Sequence, residues 1–162
     1  MTALPDLAAW TEAVESVMRD LLQAPRPDLE PLYGMRYHLG WTDEALQPAP
    51  GLSSGKRVRP LVCLLACAAV GGAWLQAVPL AAGIELIHNF SLIHDDVEDS
   101  SLTRRHRPTV WARWGAPQAV NAGDAMFALA RLAVLRLRGA GLAPETAWSA
   151  REWVEQACLH LG

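Results

Sequence analysis

The stretch Ile84–Asp99, IELIHNFSLIHDDVED, decides the fold. It holds no glycine or proline, and winding it at the helical period brings Ile84, Ile87, Ser91 and His94/Asp95 onto one rolling face. A helix is predicted from about Ala73 to Asp99, apolar along most of its length and acidic at its end. Upstream, from Pro60 to Ile84, Gln76 is the one strongly polar side chain, and a run of that length could span a bilayer. Gly71-Gly72 and Pro79 divide it, so it is read as helices buried among other helices and not as a transmembrane segment. Pro60 suits the first turn of the first of them, which runs to Val70.

Further toward the N-terminus, Leu7, Trp10, Val14, Val17, Met18 and Leu21 recur at three and four, which predicts an amphipathic helix over Asp6–Leu22. Ala24-Pro25-Arg26-Pro27 closes it. A short helix between Asp28 and Leu39 then leads into a loop rich in Pro, Gly and Ser from Trp41 to Gly55. On the other side of the deciding stretch, SSLTRRHRPTVWARWGAP is polar, basic and punctuated by proline, a loop with one helical turn at Thr109 to Trp114. Helices follow over Gln118–Arg138 and Pro144–Leu161, separated by Gly139-Ala140-Gly141. No segment alternates apolar and polar residues over a strand's length, and no repeat is present. The expected fold class is all-α, one helical domain over residues 1–162. The last helix stops while still amphipathic, as in a chain that ends in mid-architecture, so Ile84, Leu92, Phe127, Leu132, Leu135, Val154 and Leu161 are not all expected to be covered.

Composition sets bounds on function. The 162 residues are 51% apolar and 19% charged, which is the composition of a folded domain and not of a disordered chain. A net charge of −3 provides no global attraction for nucleic acid or an anionic membrane, so any anion site must be local. Cys63, Cys67 and Cys158 form no CxxC pair; they fit a reducing compartment and small core positions better than a disulfide framework. The N-terminus has an early acid and no basic start, unlike a secretory signal, and a cytoplasmic location is expected.

Asp95 and Asp99 of DDVED project side by side from a helix, with Asp96 adjacent. Their mutual repulsion is relieved when a hard divalent cation sits between them, and magnesium, which keeps waters and phosphates among its ligands, suits such a set. The alternative is a solvated acidic face ending a helix. Arg104, Arg105 and Arg107 offer bidentate donors for diphosphate oxygens, and Lys56, Arg57 and Arg59 follow Gly55, where the backbone can approach an anion. A nucleic-acid partner is not expected, because the aspartates beside these arginines repel a phosphate backbone. His94 is read as a hydrogen-bonding helix-end residue before a ligand. Asp124 is either a helix N-cap after Gly123 or a group beside the metals.

Four segments in order, GKRVRP (Gly55 to Pro60), HNFSLIHDDVED (His88 to Asp99), RRHRPTVW (Arg104 to Trp111) and NAGDAMFALA (Asn121 to Ala130), resemble the successive N-terminal motifs of the polyprenyl synthetases, the trans-isoprenyl diphosphate synthases. The resemblance implies the N-terminal half of an antiparallel helical bundle of the isoprenoid synthase type. It implies a magnesium-dependent prenyltransferase of isoprenoid biosynthesis, condensing isopentenyl diphosphate with an allylic prenyl diphosphate of the geranyl, farnesyl or geranylgeranyl type. By the same likeness Lys56, Arg59, His88 and Arg105 hold isopentenyl diphosphate, Arg104 contacts the allylic diphosphate, and Asp95 and Asp99 bind Mg2+, with Asp96 in the same catalytic motif. Phe90 and Ser91, one turn before Asp95, match positions that set product length by side-chain bulk, although Phe90 reads equally as a core aromatic. His106 stands where the family usually has glycine. The family's second aspartate-rich motif is absent, so the likeness implies a homodimer or pairing with a chain that supplies that motif; the alternative is a catalytically incomplete diphosphate-binding subunit or regulatory relic.

Overall fold

The structure is a computed structural model that describes residues 6–23, 30–52 and 55–160. Among these the helices are α1 (Leu7–Leu22), α2 (Glu30–His38), α3 (Val58–Ala69), α4 (Trp74–Glu98), α5 (Val110–Trp114), α6 (Ala116–Leu135) and α7 (Pro144–Cys158), with a 3-10 turn at Arg136–Gly139. The described residues are helical, as the periodicity predicts, apart from loops and one short hairpin among them. The strands β1 (Thr103–Arg104) and β2 (Arg107–Pro108) pair antiparallel in the basic segment that reads as a loop. Two residues per strand are too few for alternation to register in a sequence. The proline-rich stretch from Ala24 to Pro27, Asp28 and Leu161 lie outside the described residues.

Local chemistry sets the helix ends. Asp6 caps α1, its Oδ1 accepting from the backbone N–H groups of Ala8 and Ala9 at 3.1 Å each, and Trp10, Val14 and Met18 form the buried stripe. Pro79 does not divide the apolar run. It sits inside α4 at the sixth position, where its missing N–H forfeits the bond to the Leu75 carbonyl and the helix continues past it. Gly71-Gly72 alone separates α3 from α4. Gly71 is left-handed at φ 81, and a Cβ on Gly72 would stand 2.7 Å from the Cys67 sulfur. No helix among the described residues is long and apolar enough to cross a membrane.

The described chain divides into two compact units. One comprises the segment ending at Leu21, Arg57–Glu85 and the segment from Ala130 onward; the other comprises Leu22–Lys56 and Leu86–Leu129. In the first, Val134, Leu137 and Ala147 form a core packed by Leu80, Leu142, Ala150 and Val154, and Trp10 stacks on Trp74 with ring centroids 5.2 Å apart. In the second, Met35, Leu39, Leu86, Ile93, Ala119 and Met126 are fully buried.

The expectation that α3 is buried among other helices holds for one face only. Pro60 and Leu64 are buried, whereas Val58, Val62, Leu65 and Val70 are 55%, 57%, 40% and 86% exposed. Nor do the cysteines serve as plain core: all three are only partly buried. Of the side chains expected to lack cover, Leu132 is exposed, while Ile84, Leu92, Phe127, Leu135 and Val154 are half-buried. The uncovered apolar surface lies instead on α3 and at Trp148 and Trp153 of α7.

Close approach within the first unit depends on Gly83. A Cβ there would lie 2.6 Å from Val134 Cγ2 and 3.1 Å from the Ala130 carbonyl oxygen, and the backbone oxygen cannot rotate away. Gly83→Ala is therefore expected to lower stability by about 1–3 kcal/mol despite alanine's better helix propensity. A urea midpoint that falls at constant m value checks this; an unchanged or raised midpoint contradicts the packing.

Candidate functional site

In the second unit the two sides of α4 have different work. Leu86, Asn89, Ile93 and Asp96 recur at three and four and are 0%, 0%, 0% and 2% exposed, so the core face carries the middle aspartate of the acidic motif inward. His88 and Ser91 are half-buried and Asp95 and Asp99 exposed on other faces. The amide of Asp99 donates to the Asp95 carbonyl at 2.8 Å, which places the two exposed acids one turn apart at the helix end. Neither joins an ion pair among the described residues.

Asp96 has a different role from its neighbours. Arg104 Nε donates to both of its carboxylate oxygens at 3.0 Å, and Arg104 Nη2 lies 2.9 Å from Oδ1. A buried carboxylate is tolerated when it is paired and hydrogen-bonded in this way, and the pair ties β1 to the end of α4. The three arginines of the hairpin are thereby sorted. Arg104 is held by Asp96. Arg107 donates to the carbonyls of Tyr37 at 3.2 Å and Thr42 at 2.8 Å and stacks 4.0 Å over the Tyr37 ring, so it struts the hairpin against α2 with both terminal nitrogens engaged. Arg105 reaches the His38 carbonyl at 3.4 Å, and a Cβ on Gly55 would stand 3.1 Å from Arg105 Nη2. The glycine of GKRVRP thus admits an arginine.

The hairpin turn explains the departure at position 106. Arg105 and His106 have φ of 53° and 64°, both left-handed, between strands paired Arg104 with Arg107. This is the two-residue turn that favours glycine at its second position. Histidine there carries a steric cost of about 1 kcal/mol yet leaves both flanking arginines in register. Beyond the turn, Thr109 caps α5 by accepting from the Ala112 amide, and its hydroxyl donates to the Ser101 carbonyl at 2.8 Å; Trp111 Nε1 donates to the same carbonyl at 2.7 Å.

The remaining motif residues fall into place around α4 and α6. His94 Nε2 lies 3.3 Å from the Val120 carbonyl, the hydrogen-bonding role expected of it, and a Cβ on Gly123 would come within 2.1 Å of that ring. Asp124 is not an N-cap, since α6 begins at Ala116; it is exposed and 3.6 Å from His94 Nε2. Phe90 packs against Phe127 at 4.8 Å and meets His94 edge-on at 5.5 Å, while the Ser91 hydroxyl donates to the His88 carbonyl at 2.9 Å. Lys56 is exposed. In the first unit Arg59, also exposed, stands at an apolar cleft of about 770 Å³ whose walls include Val62, Cys63, Leu80, Ile84, Leu142 and Trp153. Burial pushes the Cys63 thiol up to about 11. Arg57 does not join Lys56 and Arg59 as a surface cation: it is 4% exposed and paired inside.

Among the described residues no three His, Cys, Asp or Glu side chains converge to hold a metal by themselves. Two exposed carboxylates one turn apart without a cationic partner are nonetheless a donor set that fits magnesium, which takes one or two carboxylates and fills its sphere with water and phosphate. Asp96, consumed by Arg104, does not belong to that set.

A sequence reading misses His38. It is buried, its Nε2 has no hydrogen-bond partner among the described residues, and burial, then Arg105, Arg104 and His88, lowers its pKa from 6.5 to about 3. A histidine kept neutral in the fold takes up a proton on unfolding. Its stabilising contribution is full above pH 6.5 and is lost as pH falls from there toward 3, at up to about 1.4 kcal/mol per pH unit. His38→Gln should flatten the decline in urea midpoint between pH 6.5 and 4; identical slopes for the variant and the parent would contradict the assignment.

Residues 43–159 match the sequence profile of the family described as Polyprenyl synthetase. Over 132 residues the chain is 42% identical to a (2E,6E)-farnesyl diphosphate synthase of Mycobacterium bovis, covering 82% of this chain and 36% of that one. It is 45% identical over 114 residues to a geranylgeranyl diphosphate synthase of Mycobacterium tuberculosis, covering 70% and 32%. The fold superposes on geranylgeranyl pyrophosphate synthetase from Pyrococcus horikoshii with a TM-score of 0.77 and 35% identity, over 91% of this chain and 40% of that one. The chain therefore belongs to the polyprenyl synthetase family, with the isoprenoid synthase helical fold. It spans about a third of the length of the curated relatives it matches.

Proposed function

We propose that this chain is the diphosphate-binding N-terminal part of a trans-prenyltransferase that joins isopentenyl diphosphate to an allylic prenyl diphosphate. The observation that carries the proposal is the sorting of the acidic motif, with Asp95 and Asp99 exposed one turn apart while the buried Asp96 holds Arg104. Asp95 and Asp99 would hold Mg2+, which supplies charge neutralisation for the departing diphosphate. Arg104, fixed before substrate arrives, adds to that stabilisation without reorganising. Lys56, Arg59, His88 and Arg105 would hold the diphosphate of isopentenyl diphosphate. The allylic C–O bond breaks with its electron pair leaving on the diphosphate, the isopentenyl double bond attacks the allylic carbon, and a proton is lost to restore a double bond. Phe90 and Ser91 lie one turn before Asp95, where Phe90 would partly floor the cavity for the growing tail and the small Ser91 would leave it open.

Calorimetric titration tests this. Asp95→Ala and Asp99→Ala should abolish the magnesium-dependent part of geranyl diphosphate binding, with a melting temperature equal to or above that of the parent, because like charges one turn apart repel. Arg104→Ala, made together with Asp96→Asn so that no buried carboxylate is stranded, should weaken geranyl diphosphate more, and Lys56→Ala isopentenyl diphosphate more, each by about 1.5–3 kcal/mol. Unchanged affinity in both aspartate variants, or equal losses for both ligands in every basic variant, would refute the proposal.

The exposed apolar side chains favour a second reading, in which the chain works only when paired with a second copy or with a chain supplying another acidic motif. Val58, Val62, Trp148 and Trp153 are each more than half exposed, the last at 70%, and apolar surface of this kind promotes association. Sedimentation is expected to show self-association that competes with binding of an apolar-surface dye. A monodisperse monomer that binds no dye would eliminate this reading.

A further inference from the structure

The first unit contains a charged cluster that diphosphate binding, as proposed above, does not use. Arg57 Nε lies 2.6 Å from Glu15 Oε1 on α1, and Arg57 Nη1 lies 2.8 Å from Glu85 Oε1 on α4. Arg57, Glu15 and Glu85 are 4%, 6% and 4% exposed. Arg19 approaches the second Glu15 oxygen at 3.6 Å from the surface, so two cations face two carboxylates. Arg57 Nη2 is buried without a hydrogen-bond partner among the described residues. Such a cluster is a poor way to gain stability, since buried ion pairs break even against apolar side chains of similar size.

The backbone shows what the cluster holds. Arg57 is the N-cap of α3, yet it sits at φ 48, ψ 34, left-handed, and its side chain makes no capping bond. An N-cap residue ordinarily adopts extended backbone, and a left-handed non-glycine residue is strained. This conformation sends the Arg57 side chain inward to two acids, while two residues later Arg59, in the first turn of α3, emerges exposed. Relaxation of Arg57 to the extended region would change how the chain enters α3 and hence the direction of Arg59.

We propose that Glu15 and Glu85 clamp Arg57 in its left-handed state, making Arg57 a positioning residue that aims Arg59 at the diphosphate of isopentenyl diphosphate. The guanidinium suits the role because its rigid fork presents Nε to Glu15 and Nη1 to Glu85 at once, a fixed geometry that the single nitrogen of a lysine does not impose. This rests on the diphosphate reading above.

The test uses the whole chain, with isopentenyl diphosphate titrated calorimetrically in metal-free buffer and amide shifts of Val58–Leu61 followed by NMR. Arg57→Met alone strands two buried carboxylates and is expected to destabilise the fold, so the deciding variant is Glu15→Leu/Arg57→Met/Glu85→Leu, which removes every charge together. That variant is expected to melt at or above the parent temperature, to shift the Val58–Leu61 amides, and to bind isopentenyl diphosphate about tenfold or more weakly, matching Arg59→Ala, as loss of one charge-assisted bond requires. Adding Arg59→Ala to it should cost nothing further. A triple variant that melts as the parent does and keeps parental amide shifts and affinity would overturn the proposal, leaving the cluster merely structural. If the parent and Arg59→Ala bind isopentenyl diphosphate equally weakly while the triple variant still displaces the amides, the diphosphate reading is what fails and the clamp stands.

Discussion

The constraint on which the site depends is the burial of Asp96. A carboxylate that is 2% exposed at the end of a helix must be matched by a cation of fixed geometry, and Arg104 matches it through Nε and Nη2 together. That requirement fixes β1 against α4, which in turn fixes the turn at Arg105 and His106 and the register of β2. Arg107 then reaches the carbonyls of Tyr37 and Thr42, and the Tyr37 hydroxyl donates back to the Pro108 carbonyl at 2.9 Å. A chain of polar bonds, each compensating a buried group, runs from the acidic helix end through the hairpin to α2. Asp95 and Asp99 stay exposed because Asp96 occupies the inward position between them.

The two units solve a similar problem with different chemistry. In one, Arg57 is buried as a charge and needs two carboxylates; in the other, His38 is buried as a neutral ring because burial strips it of water and Arg105, Arg104 and His88 add further repulsion for a proton. A group that can shed its charge does so when desolvated, and one that cannot must be paired. Arginine never sheds its charge, which is why Glu15 and Glu85 sit on otherwise apolar faces of α1 and α4.

Much of this was legible in the residues themselves. Apolar spacing placed α1, α3, α4 and α7 within a few residues, and the resemblance over Gly55 to Ala130 led to the family. What periodicity could not convey is which members of a charged run turn inward. Lys56, Arg57 and Arg59 look alike in sequence, as do Arg104, Arg105 and Arg107, yet Arg57 and Arg107 serve the interior. The signal for the first was present: Glu15 lies between Val14 and Met18 on the apolar stripe of α1, and an acid there calls for a buried base. Pro79 misled because proline costs a helix one bond and a clash with the preceding turn, a local penalty that the burial of Val78, Ala81, Ala82 and Leu86 around it outweighs. The hairpin was invisible because its strands are set by one side-chain ion pair and a turn, not by a pattern of apolar residues.

The segmental make-up of the two units bears on how the chain is made. One unit is complete once Leu129 has been synthesised, since it draws on Leu22–Lys56 and Leu86–Leu129. The other began earlier, with α1, but needs everything from Ala130 onward before it can close. During vectorial synthesis the acidic helix end and its hairpin can therefore assemble while α1 and α3 still lack the core of Val134, Leu137 and Ala147. Over that interval the apolar stripe of α1 is made before the acidic helix end and covered after it, so the nascent chain carries it without its core partners while Leu22–Leu129 emerge.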